Sequence, residues 1–139
     1  MKFQSKSEAE TESIGRRLGK KLKRGDVVCL YGGLGSGKTT MARGIASALG
    51  ISERDVTSAS FTVIAEHDAD IPFYHIDLYR ISPHNVSELG LHEYLESDGI
   101  CVIEWAGRAE GELPERIIRV SLRYTGEDCR EIDITGIEL

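Results

Sequence analysis

Eight residues, Gly32-Gly33-Leu34-Gly35-Ser36-Gly37-Lys38-Thr39, constrain this chain more than any other stretch: a glycine, four residues, then Gly-Lys-Thr. Before them lies Val27 to Tyr31, a short and almost wholly apolar run, the pattern of a strand covered on both faces of a parallel sheet. After them, from Lys38, Met41, Ile45 and Leu49 fall on one helical face, and Gly50 is placed to end the helix. In the order strand, loop, helix, successive backbone N–H groups converge into an anion nest, and the helix N-terminus adds partial positive charge. Gly35, Ser36 and Gly37 then cradle phosphates, Lys38 reaches the β- and γ-phosphates of a nucleoside triphosphate, and Thr39 ligates Mg²⁺.

Such a site also needs a carboxylate at the end of a neighbouring strand. Two candidates exist. Glu104 follows the apolar run Ile100 to Ile103, and Asp77 follows Phe73-Tyr74-His75-Ile76. The more continuously apolar run favours Glu104 as the metal ligand, beside the strand that leads into the loop. Asp77 can equally be a structural anchor or a helix cap. Guanine-reading proteins of this class usually carry Asn-Lys-x-Asp, whereas the one asparagine here, Asn85, precedes Val86; ATP is therefore the expected nucleotide. Thr57 to Thr62 places four hydroxyls in six residues, where a γ-phosphate sensor commonly lies, although an ordinary polar loop has the same composition. His67, His75, His84 and His92 form no nucleophile or ligand constellation and are assigned to surface or packing. Trp105, the single tryptophan, follows Glu104 directly and fits either the core or a gate over the site.

The rest of the chain fills in a sheet. A first helix is expected from Ser7, with Glu10 at capping-box spacing, through Ile14, Leu18 and Leu22 to a stop at Gly25. The basic run Lys20, Lys21, Lys23 and Arg24 reads as its solvated end. Phe61 to Glu66 and Phe73 to Asp77 read as a strand hairpin, and Val86 to Leu95 as a short helix. The strand from Ile100 should be central. Ile118, Val120 and Leu122, then Ile132 and Ile134, alternate with polar residues as antiparallel strands, joined by a turn at Thr125 to Asp128. The pattern is α/β: a three-layer sandwich of the phosphate-loop NTPase kind around a mixed parallel and antiparallel sheet, one domain over residues 1–139.

Composition narrows the class. With 40% hydrophobic residues and no run near the ~18–20 apolar residues of a membrane span, no membrane partner is expected. Met1 to Glu12 lacks the features of a secretory or transit peptide, which points to the cytoplasm. The net charge of −6 argues against an extended nucleic-acid surface, so any nucleic acid is met indirectly. Cys29, Cys101 and Cys129 lack metal-type spacing and read as reduced thiols, the first two inside apolar runs.

Taken together, five segments resemble the bacterial TsaE (YjeE) ATPases of tRNA threonylcarbamoyladenosine (t6A) synthesis. They are Gly32 to Thr40, Ser58-Ala59-Ser60-Phe61-Thr62, Tyr74-His75-Ile76-Asp77-Leu78-Tyr79-Arg80, Glu88-Leu89-Gly90 and Ile100 to Trp105. The resemblance covers residues 11 to 134. It implies a small ATPase that binds ATP and Mg²⁺, turns over slowly alone, and acts on the TsaD–TsaB pair, meeting tRNA through that complex. It also implies that Lys38 holds phosphates, Thr39 and Glu104 the metal, and Thr40 an α-phosphate. Asp77 and Thr62 become switch or catalytic positions, and Thr11 and Arg130 nucleotide contacts. Gly33 replaces the family's usual Asp, Ala59-Ser60 a usual Pro-Thr or Pro-Ser, and Ala106 a common Pro. The expected function is an ATP-dependent accessory subunit. A small-molecule kinase is the alternative, weakened by the lack of an evident Arg-rich lid, and a binding module without turnover is the third reading.

Overall fold

Seven strands form one sheet in the order β1-β7-β6-β2-β5-β4-β3, as seen in the computed structural model, which describes residues 1–56 and 63–139. The strands are β1 (Lys2–Ser5), β2 (Val27–Tyr31), β3 (Ile64–His67), β4 (Phe73–Asp77), β5 (Ile100–Glu104), β6 (Ile118–Gly126) and β7 (Cys129–Thr135). The helices are α1 (Glu8–Gly19), α2 (Lys38–Ala48) and α3 (Leu91–Leu95), with 3-10 segments at Glu53–Asp55, Pro83–Leu89 and Ala106–Glu112.

The centre is parallel. β2 pairs in parallel with β5 and with β6, and β4 pairs in parallel with β5, while β3, β7 and β1 add antiparallel edges. All five residues of β5 are buried, as the apolar run requires of a strand covered on both faces. Side-chain alternation sorts the two cores. Val28, Leu30, Phe73, Ile100 and Val102 pack with Leu18, Met41 and Ile45 of α1 and α2. Cys29, Ile76, Cys101 and Ile103 pack on the other side with Val86, Leu91 and Ala106 from the short helices. Each large apolar side chain fully buried in these layers contributes roughly 1.5–3 kcal/mol before conformational entropy is set against it. The α1–α2 crossing is close because α2 presents Gly44 there: a Cβ at this position would meet the Glu12 carbonyl and approach Arg16 N to 3.0 Å.

Some sequence expectations shift. Ser7 caps α1 by accepting from Glu10 N at 3.1 Å, but the Glu10 carboxylate accepts from Lys6 N at 2.8 Å rather than from the capping residue itself. The helix ends at Gly19, not near Gly25. Tightened bonds from Lys21 N to Leu18 O and from Leu22 N to Gly19 O carry the chain on, and Leu22 is still buried. The helix expected over Val86 to Leu95 is broken at Gly90, whose φ of 70° separates Pro83–Leu89 from α3. The turn expected at Thr125 to Asp128 shrinks to Glu127 and Asp128, because β6 runs on to Gly126 through a register irregularity after Tyr124. β1 is an addition: its four residues have little apolar content, and pairing with β7 defines it. Of the strand expected from Phe61, Ile64–His67 is present, and Phe61 and Thr62 lie outside the described residues. Among the described residues, no helix is long and apolar enough to cross a membrane.

Candidate functional site

Parallel pairing brings the ends of β2, β5 and β4 to one edge, where open α/β sheets place their ligand crevices. Register makes the level explicit: Leu30 lies opposite Glu104, and Glu104 opposite Asp77. β7 begins at the same edge, and Arg130 is the register partner of both Tyr124 and Ser5. A cleft of about 470 Å³ opens there, bounded by Gly35 to Thr40, Thr11, Asp77, Glu104, Trp105 and Arg130. Ser7, Glu8, Tyr79 and Asp128 also line it.

The loop begins where β2 ends and closes on Gly37, which sits at φ 101° as the N-cap of α2. A side chain there would be strained, and glycine keeps the N-terminus of α2 unobstructed. A Cβ at Gly37 would lie 3.6 Å from Thr11 Cγ2 and 3.8 Å from Arg130 Nε, so both residues abut the end of the loop. Thr11 Oγ1 is fixed by a buried 2.7 Å hydrogen bond with Ser5 Oγ. Arg130 donates from Nη1 to Cys129 O and stacks its guanidinium 4.7 Å from the Tyr124 ring centroid. Its Nε is buried without a hydrogen-bond partner among the described residues.

Lys38 turns back into the loop, donating from Nζ to Gly32 O at 2.6 Å and to Gly33 O at 2.7 Å. The indole of Trp105 lies against the same ammonium, with the ring centroid 4.1 Å away. Trp105 holds this position at φ 60°, stacked between Lys38, Arg108 and the Tyr79 ring. Burial pushes the Lys38 ammonium below the ordinary lysine value, and the carboxylates of Glu104 and Asp77 pull it back up.

Thr39 and Glu104 meet directly. Thr39 Oγ1 donates to Glu104 Oε1 at 2.9 Å, and His75 Nε2 lies 2.6 Å from Glu104 Oε2. Asp77 lies at the same edge, with Oδ1 accepting from Tyr79 N at 3.0 Å, the cap-like role open to it in the sequence. Thr40 Oγ1 donates to Glu8 Oε1 at 3.4 Å. Thr62, like the whole Thr57 to Thr62 segment, lies outside the described residues.

Sequence reasoning missed His75 as a neighbour of Glu104. The signal was present: Phe73, His75 and Asp77 alternate onto one face, and that face meets Glu104. It also missed Arg108, whose Nη1 donates to the carbonyls of Leu78, Tyr79 and Ile81 and so shapes the loop after Asp77. No periodic pattern announces a guanidinium that bonds backbone.

The donor set suits a phosphate-bound divalent cation better than a free-standing metal centre. Among the described residues, no group of three or more His, Cys, Asp or Glu gathers to hold a metal. A hydroxyl and one carboxylate leave coordination places for phosphate oxygens and water, the usual manner of Mg²⁺. Arg130 Nε, without a partner among the described residues, and the uncapped N-terminus of α2 at Gly37 favour an anionic ligand in the same cleft.

A mixed seven-stranded sheet whose middle strand, β2, runs into a glycine-rich loop and helix defines an α/β protein. Residues 5–132 match the family model for the threonylcarbamoyl adenosine biosynthesis protein TsaE. The tRNA threonylcarbamoyladenosine biosynthesis protein TsaE of Bacillus subtilis is 39% identical over 138 residues, covering 99% of this chain and 86% of that one. The protein of the same name from Treponema pallidum is 38% identical, covering 96% and 99%. The crystal structure of Bacillus subtilis YdiB superposes with a TM-score of 0.82 at 37% identity, over 99% of this chain and 86% of that one. This chain belongs to the TsaE family.

Proposed function

We propose that the chain binds ATP with Mg²⁺ in this cleft, hydrolyses it weakly, and acts as an accessory ATPase of tRNA t6A modification on the TsaD–TsaB complex. The observation that carries the ATP reading is the Thr39–Glu104 contact at the mouth of the Gly32 to Thr39 loop, with Lys38 beside it. Membership of the TsaE family carries the pathway.

Lys38 is held against Gly32 and Gly33, and its ammonium would give up these carbonyls for phosphate oxygens on nucleotide binding. Bound Mg²⁺ would offset the charge on the β- and γ-phosphates. Thr39 and Glu104 would hold it, with Glu104 ahead of Asp77 because Glu104 is the carboxylate that contacts Thr39. Thr40, which lines the cleft, would contact the α-phosphate. Thr11 and Arg130 close the nucleoside side of the cleft. Asp77 and Thr62 are the positions for γ-phosphate response and water activation. Since the loop after Asp77 is tied to Arg108, a change at the γ-phosphate has a packed element through which to reach the surface.

The test is steady-state ATP hydrolysis by the protein alone and with TsaD, TsaB and tRNA. Stimulation by the complex, lost in Lys38→Ala together with ATP binding, is the expected result. Lys38→Ala with wild-type binding and turnover refutes the site. Turnover indifferent to TsaD–TsaB would instead favour a small-molecule kinase.

A further inference from the structure

We infer that His75 is a positioning residue for the Glu104 carboxylate: it donates Nε2–H to Oε2 and so reserves Oε1 for Thr39 and the cation. The inference deepens the metal reading and rests on it.

The argument begins with burial. His75 and Glu104 are 4% and 2% exposed, so neither has water as a ready substitute partner. A carboxylate only accepts, and its oxygens must be supplied with donors when it is buried. Among the described residues Glu104 has two side-chain donors, one per oxygen: Thr39 Oγ1 at 2.9 Å to Oε1 and His75 Nε2 at 2.6 Å to Oε2. The contact with the carboxylate fixes the imidazole tautomer, with the proton on Nε2.

Register explains the reach. His75 pairs with Val102 in the parallel β4–β5 ladder, so Glu104, two residues on, is its diagonal neighbour on the same face. That face carries Phe73 and Val102 against α2, whose first turn holds Thr39. His75 therefore holds Glu104 from the sheet while Thr39 holds it from the helix. Without His75 the carboxylate would be free to rotate about its terminal torsion, and neither oxygen would be committed to the cation. Partners of this kind behind a metal ligand are worth about ten- to a hundredfold in metal affinity.

The experiment uses the single tryptophan, Trp105, beside Lys38, as a fluorescent reporter of ATP binding. ATP is titrated in EDTA and then over a range of Mg²⁺ for the wild type, His75→Phe, His75→Asn, His75→Gln and Glu104→Gln. Expected is a rise of about ten- to a hundredfold in the half-saturating Mg²⁺ for His75→Phe, with ATP affinity in EDTA unchanged. His75→Asn, whose amide is too short, should show the same shift, and it carries the measurement if His75→Phe does not fold. His75→Gln, which restores a donor at similar reach, should recover most of the wild-type Mg²⁺ dependence. Wild-type Mg²⁺ dependence in His75→Phe and His75→Asn, with Glu104→Gln impaired, overturns the role of His75 alone. Wild-type dependence in Glu104→Gln as well overturns the metal reading and the inference with it.

Discussion

Cys29 and Cys101 sit side by side in sequence terms with the site, one on β2 and one on β5, and both point away from it into the opposite core. Burial pushes each thiol up to about 12 from an ordinary value of 9.0, and Cys101 Sγ also donates to Tyr94 O at 3.3 Å. Between those values the unfolded chain has lost a proton that the folded chain keeps, so folding loses stability as pH rises above 9. The slope is about 1.4 kcal/mol per pH unit for each thiol. Urea midpoints measured from pH 8 to pH 10.5 should fall accordingly, and a flat profile in that range counts against the assignment. At pH 8 a thiol reagent should modify the half-buried Cys129 of the native protein and reach the other two after unfolding. Legibility at this scale follows chemistry. That Lys38, Thr39 and Glu104 would meet at one cleft could be read, because a motif and a strand end place them. Arg108 could not, because its partners are main-chain carbonyls that any sequence would supply. His75 stood between the two, visible by alternation but assigned to surface or packing because a lone histidine on a strand carries no ligand spacing.

Among the elements, α1 and α2 depend on each other through small residues. Gly44 lets α2 rest on the backbone of α1 near Glu12, where an added methyl group has only main chain to displace. Gly44→Ala should therefore lower stability by about 1–3 kcal/mol, the usual cost of overpacking, despite alanine's better helix propensity. Chemical denaturation decides it; an unchanged or higher midpoint would mean that the crossing relaxes freely. The strands β2, β4, β5, β6 and β7 were legible because apolar runs and strict alternation encode burial on two faces or one. The errors fell where local patterns lose to packing. α1 stops early although Leu22 keeps helical spacing, and Gly90 divides a segment whose apolar residues satisfy both a helix and a 3-10 turn. β1 was illegible for a related reason: Lys2-Phe3-Gln4-Ser5 is an edge strand whose ladder partner lies at the other end of the sequence.

At the level of the whole molecule, β1 couples the sheet edge to the cleft. Its Ser5 faces Arg130 across the ladder and hydrogen-bonds Thr11 at the start of α1. Removing residues 1–5 should weaken ATP binding as well as stability, since Thr11 loses its hydroxyl partner and β7 becomes the exposed edge. Hydrogen exchange should then accelerate at residues 130–134 and leave β2 and β5 protected. Loss of protection throughout the sheet would show that β1 is needed for the fold as a whole rather than for this wall of the site.

The pairing of β1 with β7 also orders events during synthesis. Lys2 is opposite Asp133, so β1 has no ladder partner until β7 is made, whereas β7 can pair at once with β6. A nascent chain that has already produced the glycine-rich loop, α2 and β5 still lacks the Arg130 wall. Closure of so distant a contact makes for slow folding. The cleft wall at Arg130 thus rests on a strand far from the glycine-rich loop in sequence, and a chain cut before β7 carries the motif without that wall.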